Sequence, residues 1–107
     1  MRKIEREMQS AICNLSNGQS WSKSNTRVEK DDEGNISVYL HNNRITFVDK
    51  FGDLWLSSCG WLTVTTKSRL NAVLDTYLHG ASIFQKNFEW YVDDLSTPFF
   101  DGFHIAR

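Results

Sequence analysis

Gly60-Trp61-Leu62-Thr63-Val64-Thr65-Thr66-Lys67-Ser68-Arg69-Leu70-Asn71-Ala72-Val73-Leu74 decides how the rest of the chain is read. Trp61, Thr63 and Thr65 alternate with Leu62 and Val64, which is the period of a strand. From Leu70 onward Val73, Leu74, Tyr77 and Leu78 recur at helical spacing until His79-Gly80. The stretch therefore predicts a strand that feeds directly into a helix. At the junction, Thr65, Thr66, Lys67, Ser68 and Arg69 place hydroxyls and two cations where free backbone N–H groups and the positive end of the helix dipole would lie, a chemistry suited to an anion. Ordinary N-capping by Thr65 or Thr66, with Lys67 and Arg69 solvated, explains the same residues.

Ahead of this stretch, Ile4, Met8, Ala11, Ile12 and Leu15 follow helical spacing, with Lys3, Glu5, Arg6 and Glu7 on the watery side and a stop at Asn17-Gly18. Gln19 to Asn25 reads as a polar loop holding Trp21, either a staple onto the core or an exposed platform. Thr26–Lys30, Ile36–His41, Arg44–Asp49 and Leu54–Leu56 read as strands separated by the turns Asp31–Asn35, Asn42-Asn43 and Lys50–Asp53. Ile45 and Phe47 are expected to point inward. Behind the helix, Ile83 and Phe84 lead to an alternating strand with Phe88, Trp90 and Val92 on one side. Asp93–Ser96 turns it, Thr97–Phe100 returns, and Asp101-Gly102 precedes Phe103-His104-Ile105. Pro98, the only proline, suits an edge strand or a strand start. The expectation is one α+β domain over residues 1–107, an antiparallel sheet of about five strands packed by two helices in αβββα-ββ order. Trp61, Phe47, Phe88 and Trp90 are placed in its core.

Composition narrows the function classes. A chain of 107 residues that is 40% hydrophobic and 13% aromatic is globular and holds one core. A net charge of −1 excludes a general electrostatic trap for nucleic acid, so any such site is a local patch. The first thirty residues are basic on balance and the next thirty acidic. Cys13 and Cys59 have no CxxC spacing, and Met1-Arg2-Lys3-Ile4 opens no signal-like apolar segment, so two free thiols in a reducing, cytosolic setting are expected. No run is long enough for a membrane span. His41, His79 and His104 share no ligand spacing, and no metal or cofactor is expected. Cys59-Gly60 comes nearest to a nucleophile turn, but the sequence supplies no base for it, and the chain is read as a non-enzyme. Asp31, Asp32 and Glu33 form a solvated turn; Asp93, Asp94 and Asp101 would be the positions of a nucleic-acid phosphate mimic, but such a mimic is normally far more acidic than a net charge of −1.

Several separated runs taken together resemble a family. They are Trp21 with Asn25-Thr26 and Val28, then Val38-Tyr39-Leu40-His41-Asn42-Asn43, then Gly60-Trp61 through Thr65-Thr66-Lys67-Ser68-Arg69-Leu70-Asn71-Ala72. Phe84-Gln85-Lys86, Trp90, Pro98-Phe99 and Asp101-Gly102 complete the set. In this order they resemble small accessory proteins of tailed bacteriophages. The resemblance implies a phage protein made in the bacterial cytoplasm that acts on host or phage machinery, and it carries no catalytic residues. The αβββα order of residues 4–78 also resembles the double-stranded-RNA-binding domain, in which Lys67 and Arg69 would meet phosphates, although the lysine-rich pattern is missing and an extra hairpin follows.

Two binding functions follow as expectations. In the first, Thr65, Thr66, Lys67, Ser68 and Arg69 grip nucleic acid, RNA foremost, or another phosphate-bearing ligand, with Lys23, Arg27 and Arg44 as outlying contacts. In the second, the protein is an inhibitor or adaptor that blocks a host defence enzyme through Trp21, Trp55 and Tyr91. Self-association through an edge near Pro98 is a third course.

Overall fold

The computed structural model describes residues 1–78, 80–94 and 96–106. Helix α1, Lys3–Asn14, is held at its start by the Arg2 N–H donating to Glu5 Oε1 at 3.2 Å. It buries Met8, Ala11, Ile12 and also Glu5. Gly18, at φ 81°, then turns the chain, and its N–H donates to the Lys30 carbonyl at 2.8 Å. A left-handed φ of this kind favours glycine.

Five strands follow: β1 Ser20–Lys23, β2 Thr26–Lys30, β3 Ile36–Leu40, β4 Asn43–Val48 and β5 Leu54–Leu56. Helix α2 spans Val64–Tyr77, and β6 Ile83–Lys86, β7 Glu89–Val92 and β8 Phe103–Ile105 complete the chain. The main sheet has the order β1-β2-β3-β4-β5-β8, antiparallel at every pairing, and β6-β7 is a separate hairpin. The architecture is the expected α+β fold with two helices, but five strands precede α2 where the expected order has three, and β8, not the hairpin behind α2, completes the six-stranded sheet. One unread strand is β1, which the polar composition of Gln19–Asn25 disguised as a loop; backbone pairing to β2, not side-chain burial, makes it a strand. Val28, Val38, Leu56, Met8, Leu70, Val73 and Leu74 are fully buried between the sheet and the helices.

Several local expectations are corrected. The β3–β4 turn is centred on His41 and Asn42, at φ 50° and 67°, one residue earlier than Asn42-Asn43. In β4 the pairing shifts between Val38/Thr46 and Tyr39/Arg44, leaving Ile45 as an extra residue. This bulge turns both Ile45 and Thr46 inward, so Phe47 leaves the core for the outer face and Val48 takes the inward place. Strict alternation cannot foresee an inserted residue.

The decisive stretch itself folds differently. Residues 61–63 form no strand, and α2 begins at Val64, well before Leu70. Thr63 is the N-cap, its Oγ1 accepting from the Thr66 N–H at 3.2 Å. Capping outweighs the β-like alternation because that alternation is only a few residues long, whereas Thr66, Arg69, Leu70, Val73 and Leu74 bury one helix face. Trp61 is consequently 62% exposed and not a core residue. Phe88 also leaves the core: with Asn87 it forms the β6–β7 turn, at φ 67° and 90% exposed. Of the four aromatic residues expected inside, Trp90 alone is buried. The return strand expected at Thr97–Phe100 reduces to one bridge between Tyr91 and Pro98. His79 and Leu95, placed by the sequence in a helix stop and a turn, lie outside the described residues.

Candidate functional site

The first turn of α2 is where the sequence places a phosphate site, and the structure turns most of it inward. Arg69 is 3% exposed. Its Nη1 lies 2.8 Å from Glu5 Oε2 on α1, and its Nε donates to Thr26 Oγ1 on β2 at 3.1 Å. The Ser68 hydroxyl donates to the same Glu5 oxygen. Thr66 is fully buried, its Oγ1 3.0 Å from that of Thr63. One ion pair thus joins both helices to the sheet. Burial raises the Glu5 pKa, but hydrogen bonds from Ser68, the Arg2 N–H and Arg69, with the Arg69 charge, outweigh it and hold the carboxyl below its ordinary value. Thr66, Ser68 and Arg69 are thus tied inward, and of the five junction residues Thr65 and Lys67 remain, both half-buried.

The outlying cations do not converge on that junction either. Lys23 pairs with Glu7 at 2.9 Å. Arg27 pairs with Glu29 at 3.1 Å and lies 4.2 Å from the Tyr39 ring centroid. Arg44 is exposed, with its guanidinium 5.1 Å from the Phe47 ring centroid. Arg27 and Arg44 belong instead to the sheet face turned away from the helices. Tyr39 is in register with both. Trp55 on that face is in register with Phe47 on one side and His104 on the other, and stacks on His104 at 4.5 Å.

Of the aromatic anchors, Trp21 is half-buried and packs on the core in register with Val28, lining a cleft with Ala11 and Leu15 of α1. Tyr91 stacks on Phe84, and its hydroxyl donates to Glu89 at 2.9 Å. That bond, more than burial, raises its pKa. Trp55 is the one of the three on the open sheet face.

A different feature, missed in the sequence, presents itself beside the junction. Trp61, Leu62 and Val64 are 62%, 62% and 67% exposed. Trp61 lines a cavity of about 550 Å³ between the β3–β4 turn and the start of α2, together with Leu40, His41, Asn43, Ile45, Ser58 and three threonines. Its walls are mainly apolar. The loop bearing Trp61 is fixed from below: Asp101 accepts from the Ser58 N–H at 2.7 Å and from its hydroxyl at 2.8 Å, and the Trp61 N–H donates to the Ser58 carbonyl. The Thr63-to-Thr66 spacing was the available signal, since a cap at Thr63 leaves Trp61 and Leu62 outside the helix.

Cys59 lies beside this loop with its Sγ 3.1 Å from the Arg44 carbonyl, and Cys13 is an exposed free thiol. Among the described residues, no three His, Cys, Asp or Glu side chains gather where they could hold a metal ion. Among them, too, no helix is long and apolar enough to cross a membrane.

Neither the curated proteins nor the solved structures contain a match to this chain. The family model of the Kyanoviridae Gp96 protein matches residues 1–106, which agrees with the resemblance to small phage proteins, and the chain therefore belongs to that bacteriophage family.

Proposed function

We propose that this phage protein is a non-enzymatic binding protein that engages another protein, of the host or of the phage, through the Trp61 loop. The observation that carries the reading is the exposure of Trp61, Leu62 and Val64 together beside an apolar cavity. Scattered apolar residues on a surface need no explanation, but an exposed tryptophan lining a concave apolar site, with two further exposed apolar residues next to it in the chain, is what partner proteins bury. A tryptophan next to a pocket is also the residue type most often found to dominate binding energy. The nucleic-acid alternative at the α2 start is weaker, because Arg69 is committed to Glu5 and cannot meet a phosphate without breaking a buried pair. The working place is the cytoplasm of the infected bacterium, and blocking a host defence enzyme is one action such a surface serves.

The test is capture from infected-cell lysate with the wild-type chain and with Trp61→Ser/Leu62→Ser. A stoichiometric partner retained by the former and lost by the latter, both being folded, is the expected result. A partner held equally by both refutes the assignment of the surface.

A further inference from the structure

We propose a second site on this protein: the sheet face turned away from both helices binds single-stranded nucleic acid. An open face of an antiparallel sheet ordinarily carries polar residues opposite its buried ones. Here the outward positions on four neighbouring strands include Tyr39, Phe47, Trp55 and His104 beside the polar Ser37 and Arg44, while the inward Val38, Leu40, Val48, Leu54 and Leu56 are buried. Phe47, Trp55 and His104 are cross-strand partners, so their rings form one rung across β4, β5 and β8. Within the rung the Trp55 and His104 rings are parallel and stack on each other at 4.5 Å, and Phe47 is tilted against Trp55 at 5.8 Å, so the cluster offers bases its outer faces and edges. The β4 bulge is what adds Phe47 to the rung, since it shifts the alternation by one residue.

The charge at the same face selects the occupant. Arg44 is exposed and makes no ion pair among the described residues, and its guanidinium lies over the Phe47 ring; Arg27 lies over the Tyr39 ring and shares its charge with Glu29, and Asp53 lies 4.0 Å from His104. Aromatic rings flanked by guanidinium groups on an open sheet suit unstacked bases and a phosphate backbone, because bases stack on the rings without regard to sequence while cations follow the backbone. A duplex hides its base faces and cannot use the rings. The weak overall charge keeps the site local and its binding moderate.

The experiment is fluorescence anisotropy of labelled oligouridine and oligodeoxythymidine, each of roughly 12 nucleotides, titrated with the intact protein at about 50 and 200 mM salt. The variants are Trp55→Leu and Arg44→Ala, with Trp61→Ser as control. Both oligomers are expected to bind, more weakly at the higher salt. Trp55→Leu should lower affinity roughly 5- to 150-fold, the loss of one base–ring stack. Arg44→Ala should reduce the salt slope by about one. Trp61→Ser should change neither. A preference for one oligomer shows that the 2′-hydroxyl or the thymine methyl is sensed, and equal affinity assigns recognition to stacking and phosphates alone. If Trp55→Leu does not fold, Arg44→Ala decides by itself, its side chain being exposed. Absence of binding at low salt, affinity indifferent to Arg44, or equal affinity for a duplex or for heparin would overturn the proposal.

Discussion

Replacing Arg69 by methionine should cost this protein a large part of its stability, because the change strands a buried carboxylate. The guanidinium is 3% exposed and contacts Glu5, Thr26 and Asn25, so its removal leaves Glu5 with the Ser68 hydroxyl and the Arg2 N–H as its remaining donors. Breaking one partner of a buried pair costs about 3–5 kcal/mol. A domain of this size holds about 5–15 kcal/mol in all, and each kcal/mol moves its melting temperature by about 4–8 °C. The expected drop is therefore about 12–40 °C by circular dichroism. The double change Glu5→Leu/Arg69→Met removes both charges and should recover most of the loss, as paired apolar replacements of buried ion pairs do. Lys67→Ala, two residues away on a half-buried side chain, should move stability by no more than about 0.5 kcal/mol. A melting temperature unchanged in Arg69→Met would refute the structural role of the pair and return Arg69 to the list of free cations.

Glu5 also predicts acid sensitivity. Its carboxyl titrates below the ordinary value in the folded chain, so the unfolded chain binds its proton first as pH falls. The stability from this group is complete above about pH 4.3 and is lost as pH falls further through the folded pKa, and Glu5→Gln should flatten that part of a denaturation-against-pH profile. Phe88→Gly should stabilise the β6–β7 hairpin by about 1 kcal/mol, read from the denaturant midpoint, because a non-glycine residue at φ 67° is strained and this ring is 90% exposed. Trp61→Ser should leave the melting temperature within a few degrees of wild type, since its ring is mostly in solvent; a loss above about 2 kcal/mol would place Trp61 in the core after all.

Much of the fold was legible because its signals are local. The α1 face, with Met8, Ala11 and Ile12, follows from 3.6-residue spacing, and the β3 face, with Ile36, Val38 and Leu40, from alternation. The turn at Asp31 follows from composition: its carboxylate accepts from the Glu33 and Asn35 N–H groups, as Asp and Asn do in turns. The errors lie where one residue decides a direction. The extra residue at Ile45 sends Phe47 outward, the cap at Thr63 brings Trp61 into solvent, and the Asn87-Phe88 turn exposes a phenylalanine.

The candidate sites divide in the same way. Sequence by itself determined that this is a small α+β chain with two helices, too weakly charged for a broad polyanion surface, and similar to phage proteins. Whether Arg69 faces a ligand or an internal carboxylate was beyond its reach, because Glu5 is 64 residues away in the chain and nothing in the spacing of either residue announces the other. The aromatic rung of Phe47, Trp55 and His104 likewise exists only through strand register, which brings together residues from three separate strands. Local propensity acts over a few residues. Burial of a charge, and the shape of a surface, are set by whichever distant segments close over it, and only the tertiary structure decides which those are.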